Sequence, residues 1–174
     1  MITLGVDPAY SKPTYVARFI DGAFDDFERV PYTYAEQPVM FFDAFKRIFR
    51  GALDQGDSAL LSIEKPVFIK VNAQAFMKVH EVYVALTVIA QFEGINTVRF
   101  APSSWRKMHG FRQGRGVNRQ EIKSQAIVKC EEIVGRRFLG NQAEQSDKCE
   151  SFLIGLAALT PKRAIVTINK GAIK

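Results

Sequence analysis

Apolar positions fall along this chain in two styles: short solid or alternating runs that read as strands, and longer runs spaced by three and four that read as helices. Ile2, Leu4 and Val6 form the first run, from Met1 to Pro8, and it stops abruptly on Asp7. Thr14 to Ile20 and Phe24 to Val30 flank Asp21-Gly22, and Asp-Gly between β-branched and aromatic runs predicts a hairpin. The first three strands therefore form an antiparallel meander. From Pro38 to Leu53 the residues Val39, Phe42, Phe45, Ile48, Phe49 and Ala52 recur near the 3.6 period, opposite Lys46, Arg47 and Arg50, predicting an amphipathic helix closed by Gly56. Ala59 to Ile63 is nearly all apolar, as a central strand is, and leads into Glu64.

Val71 to Phe92 reads as a longer helix with apolar residues on more than one face: Ala73, Phe76, Val79, Val82, Tyr83, Leu86, Ile89 and Ala90. The surplus face fits either a helix-to-helix dimer contact or complete burial. Thr97 to Ala101 is the fifth strand, and Pro102-Ser103-Ser104 opens a short helix carrying Trp105. Asn118-x-x-Glu121 has capping-box spacing for a helix reaching Val134, and a last helix is predicted from Asp147 to about Leu159, stopped by Pro161. Right-handed crossovers place the fourth and fifth strands parallel to the first. The expected fold is α/β, a mixed five-stranded sheet (three antiparallel strands, then two parallel) flanked by helices, with the tips of strands one and four side by side.

At 174 residues and 47% hydrophobic, residues 1–174 hold enough apolar material for one domain, with a short basic tail from about residue 162. The net charge of +6 points toward a polyanionic partner. Cys130 and Cys149 lie outside any Cys/His cluster, which argues against a zinc site or disulfide framework and for buried thiols in a reducing, cytoplasmic setting. No signal-peptide design and no unbroken apolar run of bilayer length is seen, so no membrane role is expected.

Asp7, Glu64, Asp147 and Glu150 are the candidate chemistry. The first two sit at neighbouring strand tips, and the last two are spaced i, i+3 on a helix and can reach one ion together. Carboxylates brought so close need cations, and hard oxygen ligands without imidazole or thiolate favour Mg²⁺, with Mn²⁺ as a substitute. Two such ions roughly 3.5–4 Å apart form a clamp used for phosphodiester hydrolysis. A plainer reading of Asp147-x-x-Glu150 is a capping box, with Asp147 at the N-cap.

Gly5-Val6-Asp7-Pro8, Ser62-Ile63-Glu64 leading to Phe68, Phe100-Ala101-Pro102, Gly114-x-Gly116 and Asp147-x-x-Glu150-Ser151, in that order, resemble the RuvC family of Holliday-junction resolvases. The likeness runs from Met1 to about Leu159 and is greatest to the shorter, divergent versions carried by bacteriophages. It implies an RNase H-like fold, a homodimer, and Mg²⁺-dependent paired nicking of four-way DNA, in the host cytoplasm if the source is a phage. By position it makes Asp7, Glu64, Asp147 and Glu150 the metal-binding acids, with Asp7 bridging both ions. The chain departs from the family in having Glu150 where Asp is usual, Ala9 where Gly is usual, and Arg119 where Lys is commoner; Arg keeps the charge but is a poorer proton donor.

Arg106, Lys107, Arg112, Arg115, Arg119 and Lys123 surround a loop with glycines at 110, 114 and 116, which lets the backbone follow phosphates closely. Lys65 and Lys70 flank the Glu64 turn, and Phe68 resembles the aromatic that the family inserts at the junction centre, with core packing as the other reading. Trp105 reads as packing, and His109 as a residue near the basic loop. The expected partner is branched DNA, four-way junctions above all, with a homodimer through helix 71–92. A broader RNase H-like or flap nuclease, or a catalytically silent DNA-binding module, are the competing functions on the same fold.

Overall fold

Residue alternation along the first strand divides the molecule into two faces. The computed structural model describes residues 1–68, 72–138 and 140–160, so Lys70 and the basic tail from about residue 162 lie outside the described residues. Strand β1 (Ile2–Val6) sends Ile2, Leu4 and Val6 into one core and turns Gly5, two residues before Asp7, to the opposite face. It pairs antiparallel with β2 (Thr14–Ile20), which pairs antiparallel with β3 (Ala23–Val30). On its other side β1 runs parallel to β4 (Ala59–Glu64), and β4 parallel to β5 (Asn96–Phe100). The order β3-β2-β1-β4-β5 is the mixed sheet expected from the sequence. Asp21 and Gly22 both have positive φ, 49° and 86°, as the hairpin turn between β2 and β3 requires.

Helices α1 (Pro38–Gln55) and α2 (Ala73–Phe92) cover the first face, where Phe41, Phe45 and Phe49 meet Val82, Leu86 and the β1 and β4 side chains. Helix α2 is not fully buried. Its Val82, Tyr83, Leu86, Ile89 and Ala90 pack inward, while Met77, Val84, Val88 and Phe92 remain exposed at helical spacing. Among the described residues it is the one helix long and apolar enough, at 20 residues, to cross a bilayer by length and composition. A helix packed on a core through one face passes the same test.

Helices α3 (Pro102–Met108), α4 (Arg119–Val134) and α5 (Gln142–Leu159) cover the second face. Phe152, Leu153 and Ile154 of α5 pack there against Ala17, Phe19, Val98 and Trp105. The Asn118 side chain accepts the Glu121 N–H, so Asn118 is the N-cap predicted for α4, and the Glu121 carboxylate turns to Arg112 instead of closing the box. The predicted start of α5 needs correction. The helix begins at Gln142, not Asp147, with Asn141 as N-cap accepting the Glu144 N–H at 3.0 Å. Asp147 lies more than a turn inside, so the capping-box reading of Asp147 and Glu150 is excluded. The first turn escaped notice because it is polar, lying over the site rather than over the core.

Helix α5 comes unusually close to β1. A Cβ built on Gly5 would overlap the Ser151 carbonyl oxygen and stand 2.7 Å from the Gly155 Cα. Two hydrogen bonds fix the approach: Ser62 Oγ donates to the Ile154 carbonyl at 2.6 Å, and Ser151 Oγ to the Tyr15 carbonyl at 2.9 Å.

Candidate metal centre

The parallel register sets Val6 opposite Ile63, and continuing it by one residue sets Asp7 beside Glu64. Helix α5 crosses over this edge and brings Asp147 and Glu150 from the same helical face. Carboxylate oxygens of Asp7, Asp147 and Glu150 all lie within 4.8 Å of one another. Glu64 lines the same cleft, of about 1020 Å³, but is outside that close set. Its Oε2 accepts the Trp105 indole N–H at 2.5 Å and lies 4.0 Å from Arg106.

Burial and mutual repulsion act on these acids in the same direction. Burial pushes the Glu64 carboxyl up to about 8, with the charge of Asp7 adding to it, against the lowering effect of Trp105 and Arg106. Glu150 is pushed up to about 7, again by burial first and Asp7 second. The Asp7 carboxyl is also raised by burial, although Lys12 pulls it back. A bound divalent cation would offset the repulsion among Asp7, Glu64 and Glu150. The donor set is oxygen throughout, which fits a hard divalent cation such as Mg²⁺ or Mn²⁺.

Cationic side chains ring the acids. Lys12 Nζ is 2.5 Å from Asp147 Oδ1, and Lys123 Nζ is 3.8 Å from the same oxygen. Arg106 and Arg119 also line the cleft, with Lys78 of α2 on its far wall. Of the other residues predicted to meet DNA, Lys65, Lys107, Arg112 and Arg115 are exposed but do not border the cleft. Arg112 is paired with Glu121 at 3.7 Å. Phe68 is exposed, not core, and packs edge-on against Phe76 at 5.3 Å.

Several residues here were not legible as site residues. Lys12 sits in a stretch, Pro8 to Pro13, that reads as a turn and nothing more. Trp105 is fully buried, as packing predicts, but its N–H also orients Glu64 across 41 positions of sequence. Gln125 of α4 grips the basic loop at both backbone polar groups of one residue, its Oε1 accepting the Arg112 N–H at 2.7 Å and its Nε2 donating to the Arg112 carbonyl at 3.2 Å. His109 faces inward, donating Nε2–H to the Leu153 carbonyl at 2.8 Å, and burial lowers its pKa, so the imidazole serves as a neutral strut rather than a phosphate contact. Cys130 and Cys149 are both buried free thiols.

No protein-family model and no curated protein sequence matches the chain. Solved structures do. The structure of T. thermophilus RuvC in complex with Holliday junction substrate superposes with a TM-score of 0.65 at 14% identity, over 94% of this chain and 98% of that one. A second Thermus thermophilus RuvC structure gives 0.63 at 16% identity, over 90% and 92%. At such identity the likeness is one of fold, and the fold of this chain is that of RuvC, a mixed five-stranded sheet of the RNase H-like kind.

Proposed function

We propose that the chain is a divalent-metal-dependent endodeoxyribonuclease that resolves four-way and other branched DNA by paired, symmetric nicks. The observation that carries the reading is the approach of Asp7, Asp147 and Glu150 to within 4.8 Å in a cleft rimmed by cations, on a RuvC-like fold. Bound Mg²⁺ ions, two per site, or Mn²⁺ in their place, would supply the positive charge that activates water and stabilises the departing oxygen. Asp7, Asp147 and Glu150 hold that charge, and Glu64 completes the ligand set from the β4 side. Trp105 keeps Glu64 turned toward the cleft. Lys12, Arg106, Arg119 and Lys123 receive the phosphates on either side of the reacting one, and Lys65, Lys70, Lys107, Arg112 and Arg115 extend the contact along the backbone. Phe68, exposed and braced by Phe76, is placed to stack on a base at the branch point.

Paired nicks need two sites. The exposed stripe of Met77, Val84, Val88 and Phe92 on α2 is assigned to a second copy of the chain, and light scattering at micromolar concentration should give twice the 19.6 kDa mass. The activity test is cleavage of a labelled four-way junction beside a linear duplex, a flap and an RNA–DNA hybrid, with Mg²⁺ or EDTA. Symmetric nicks confined to the junction and lost in EDTA support the reading. Equal cutting of flaps or hybrids moves it to a broader nuclease, and no cutting with either ion leaves only a binding module. Asp7→Asn should abolish cleavage while leaving junction binding nearly intact, since it alters the metal site and not the basic rim.

A further inference from the structure

A second cleft, of about 400 Å³, opens beside the next face of α5, between β2, β3 and the α4–α5 connection. Ala143, Asp147 and Glu150 look into the carboxylate cleft, while Glu144 and Lys148 look into this one. Within it Glu144 is already neutralised, by Lys148 at 3.0 Å and by the Tyr15 hydroxyl, which donates to it at 2.8 Å. Arg29, Arg136 and Arg137 on its rim are exposed, and among the described residues none of the three lies within ion-pair distance of a carboxylate. Asp26 also borders the cleft, so three guanidinium groups face one unpaired acid.

Like charges gathered around a concavity repel one another. The site is nonetheless built. The Arg136 guanidinium rests 6.0 Å over the ring of Phe138, which packs edge-on against Phe27 at 5.3 Å, so its orientation is set before any partner arrives. Planar guanidinium forks suit phosphate oxygens, and contributions from β3 and from the α4–α5 connection spread them over more than one phosphate.

We infer that this cleft, on the neighbouring face of α5, grips the backbone of a DNA arm beyond the reacting phosphate, with Arg29, Arg136 and Arg137 as its phosphate contacts. The inference rests on the nuclease reading of the carboxylate cleft. Its test is the triple variant Arg29→Ala/Arg136→Ala/Arg137→Ala, with thermal unfolding as the check on folding. Junction affinity is read by fluorescence anisotropy in EDTA over a salt series, with substrates carrying neutral methylphosphonates at successive positions on either side of the cut. The slope of log affinity against log salt should fall by roughly two to three, at ~0.9 per phosphate. The neutral substrates should bind the unmodified protein more weakly and the variant no differently from ordinary DNA. An unchanged slope, or an effect independent of which phosphates are neutral, overturns the inference while leaving the nuclease reading standing. Failure of the unmodified protein to bind branched DNA at all overturns both. A third arm titrates inorganic phosphate: saturable binding that the triple variant loses, with an unchanged DNA slope, would assign the cleft to free phosphate instead.

Discussion

Replacing Gly5 by Ala tests the contact that sets the metal centre. A Cβ at this position would stand 2.7 Å from the Gly155 Cα and closer still to the Ser151 carbonyl oxygen, where ordinary contact begins at 3.4 Å. Both obstacles are backbone, so no side-chain rotation relieves them, and α5 must retreat by at least about 0.7 Å, the shortfall at the Gly155 Cα, and by more at the Ser151 oxygen. The retreat stretches the Ser62–Ile154 and Ser151–Tyr15 hydrogen bonds and moves Asp147 and Glu150 away from Asp7. Overpacking of this kind costs about 1–3 kcal/mol, and the strained hydrogen bonds place it at the upper end. For a chain of this size that is a fall in Tm of roughly 6–12 °C, at about 2–4 °C per kcal/mol. Ligand distances in metal sites tolerate about 0.2 Å, so Mn²⁺ affinity measured by calorimetry should fall at least tenfold, and junction cleavage by roughly a hundredfold. Gly51→Ala on α1, where a Cβ meets nothing within 4 Å, is the matched control and should leave both readouts unchanged or raise Tm slightly. A Gly5→Ala protein with unmodified Tm and Mn²⁺ affinity would refute the idea that backbone contact between β1 and α5 sets the site.

Metal-free protein should lose stability as pH rises from about 5 to 8: Glu64 and Glu150 keep their protons to about 8 and about 7 when folded but release them near 4.5 when unfolded, so the folded state binds more protons throughout that window. Thermal scans across pH should show this decline, and saturating Mg²⁺ should reverse it at pH 8. Glu64→Gln removes the group that resists ionisation, so without metal at pH 8 it should unfold about 1–3 kcal/mol later than the unmodified protein while cleaving at least a hundredfold more slowly; a lower Tm at that pH would contradict the electrostatic account. Trp105→Phe keeps most of the buried ring but removes the N–H held by Glu64, and by analogy with outer-shell partners of metal ligands it should cost about 10–100-fold in activity, with little change in junction affinity. Gln125→Ala frees the backbone of Arg112 and should weaken junction binding several-fold without changing Mn²⁺ affinity.

Much of this was written in the pattern of apolar positions, because the sheet and its two core faces rest on alternation and on helical spacing that the chain states plainly. Asp7 and Glu64 could be found because each ends an apolar run, and parallel pairing of those runs follows from crossover handedness. The start of helix α5 is hidden in the sequence because Gln142 to Ser146 carry no apolar periodicity; the cap there is Asn141, whose side chain accepts the Glu144 N–H, and Glu144 is held in turn by Tyr15 and Lys148. Contacts such as Trp105 with Glu64, or Lys12 with Asp147 across 135 residues, have no local signature at all. They exist only once two strands and a helix have been packed.

The acids and the cations outside them are built to different standards, and on the nuclease reading the difference follows from what each would do. The acids stand on β1, β4 and α5, elements locked by a glycine contact and by buried serine hydrogen bonds, because carboxylates that repel one another hold a cation only if they cannot move apart. The outer cations stand on exposed turns and helix ends, Arg115 in the Gly114-x-Gly116 loop and Arg119 at the first turn of α4, where long side chains can follow a backbone whose path differs from one branch to the next. Stiffening the loop, for example by replacing Gly114 (φ 109°), should therefore narrow the range of branched DNAs bound, whereas disturbing Gly5 should weaken metal binding on every substrate alike.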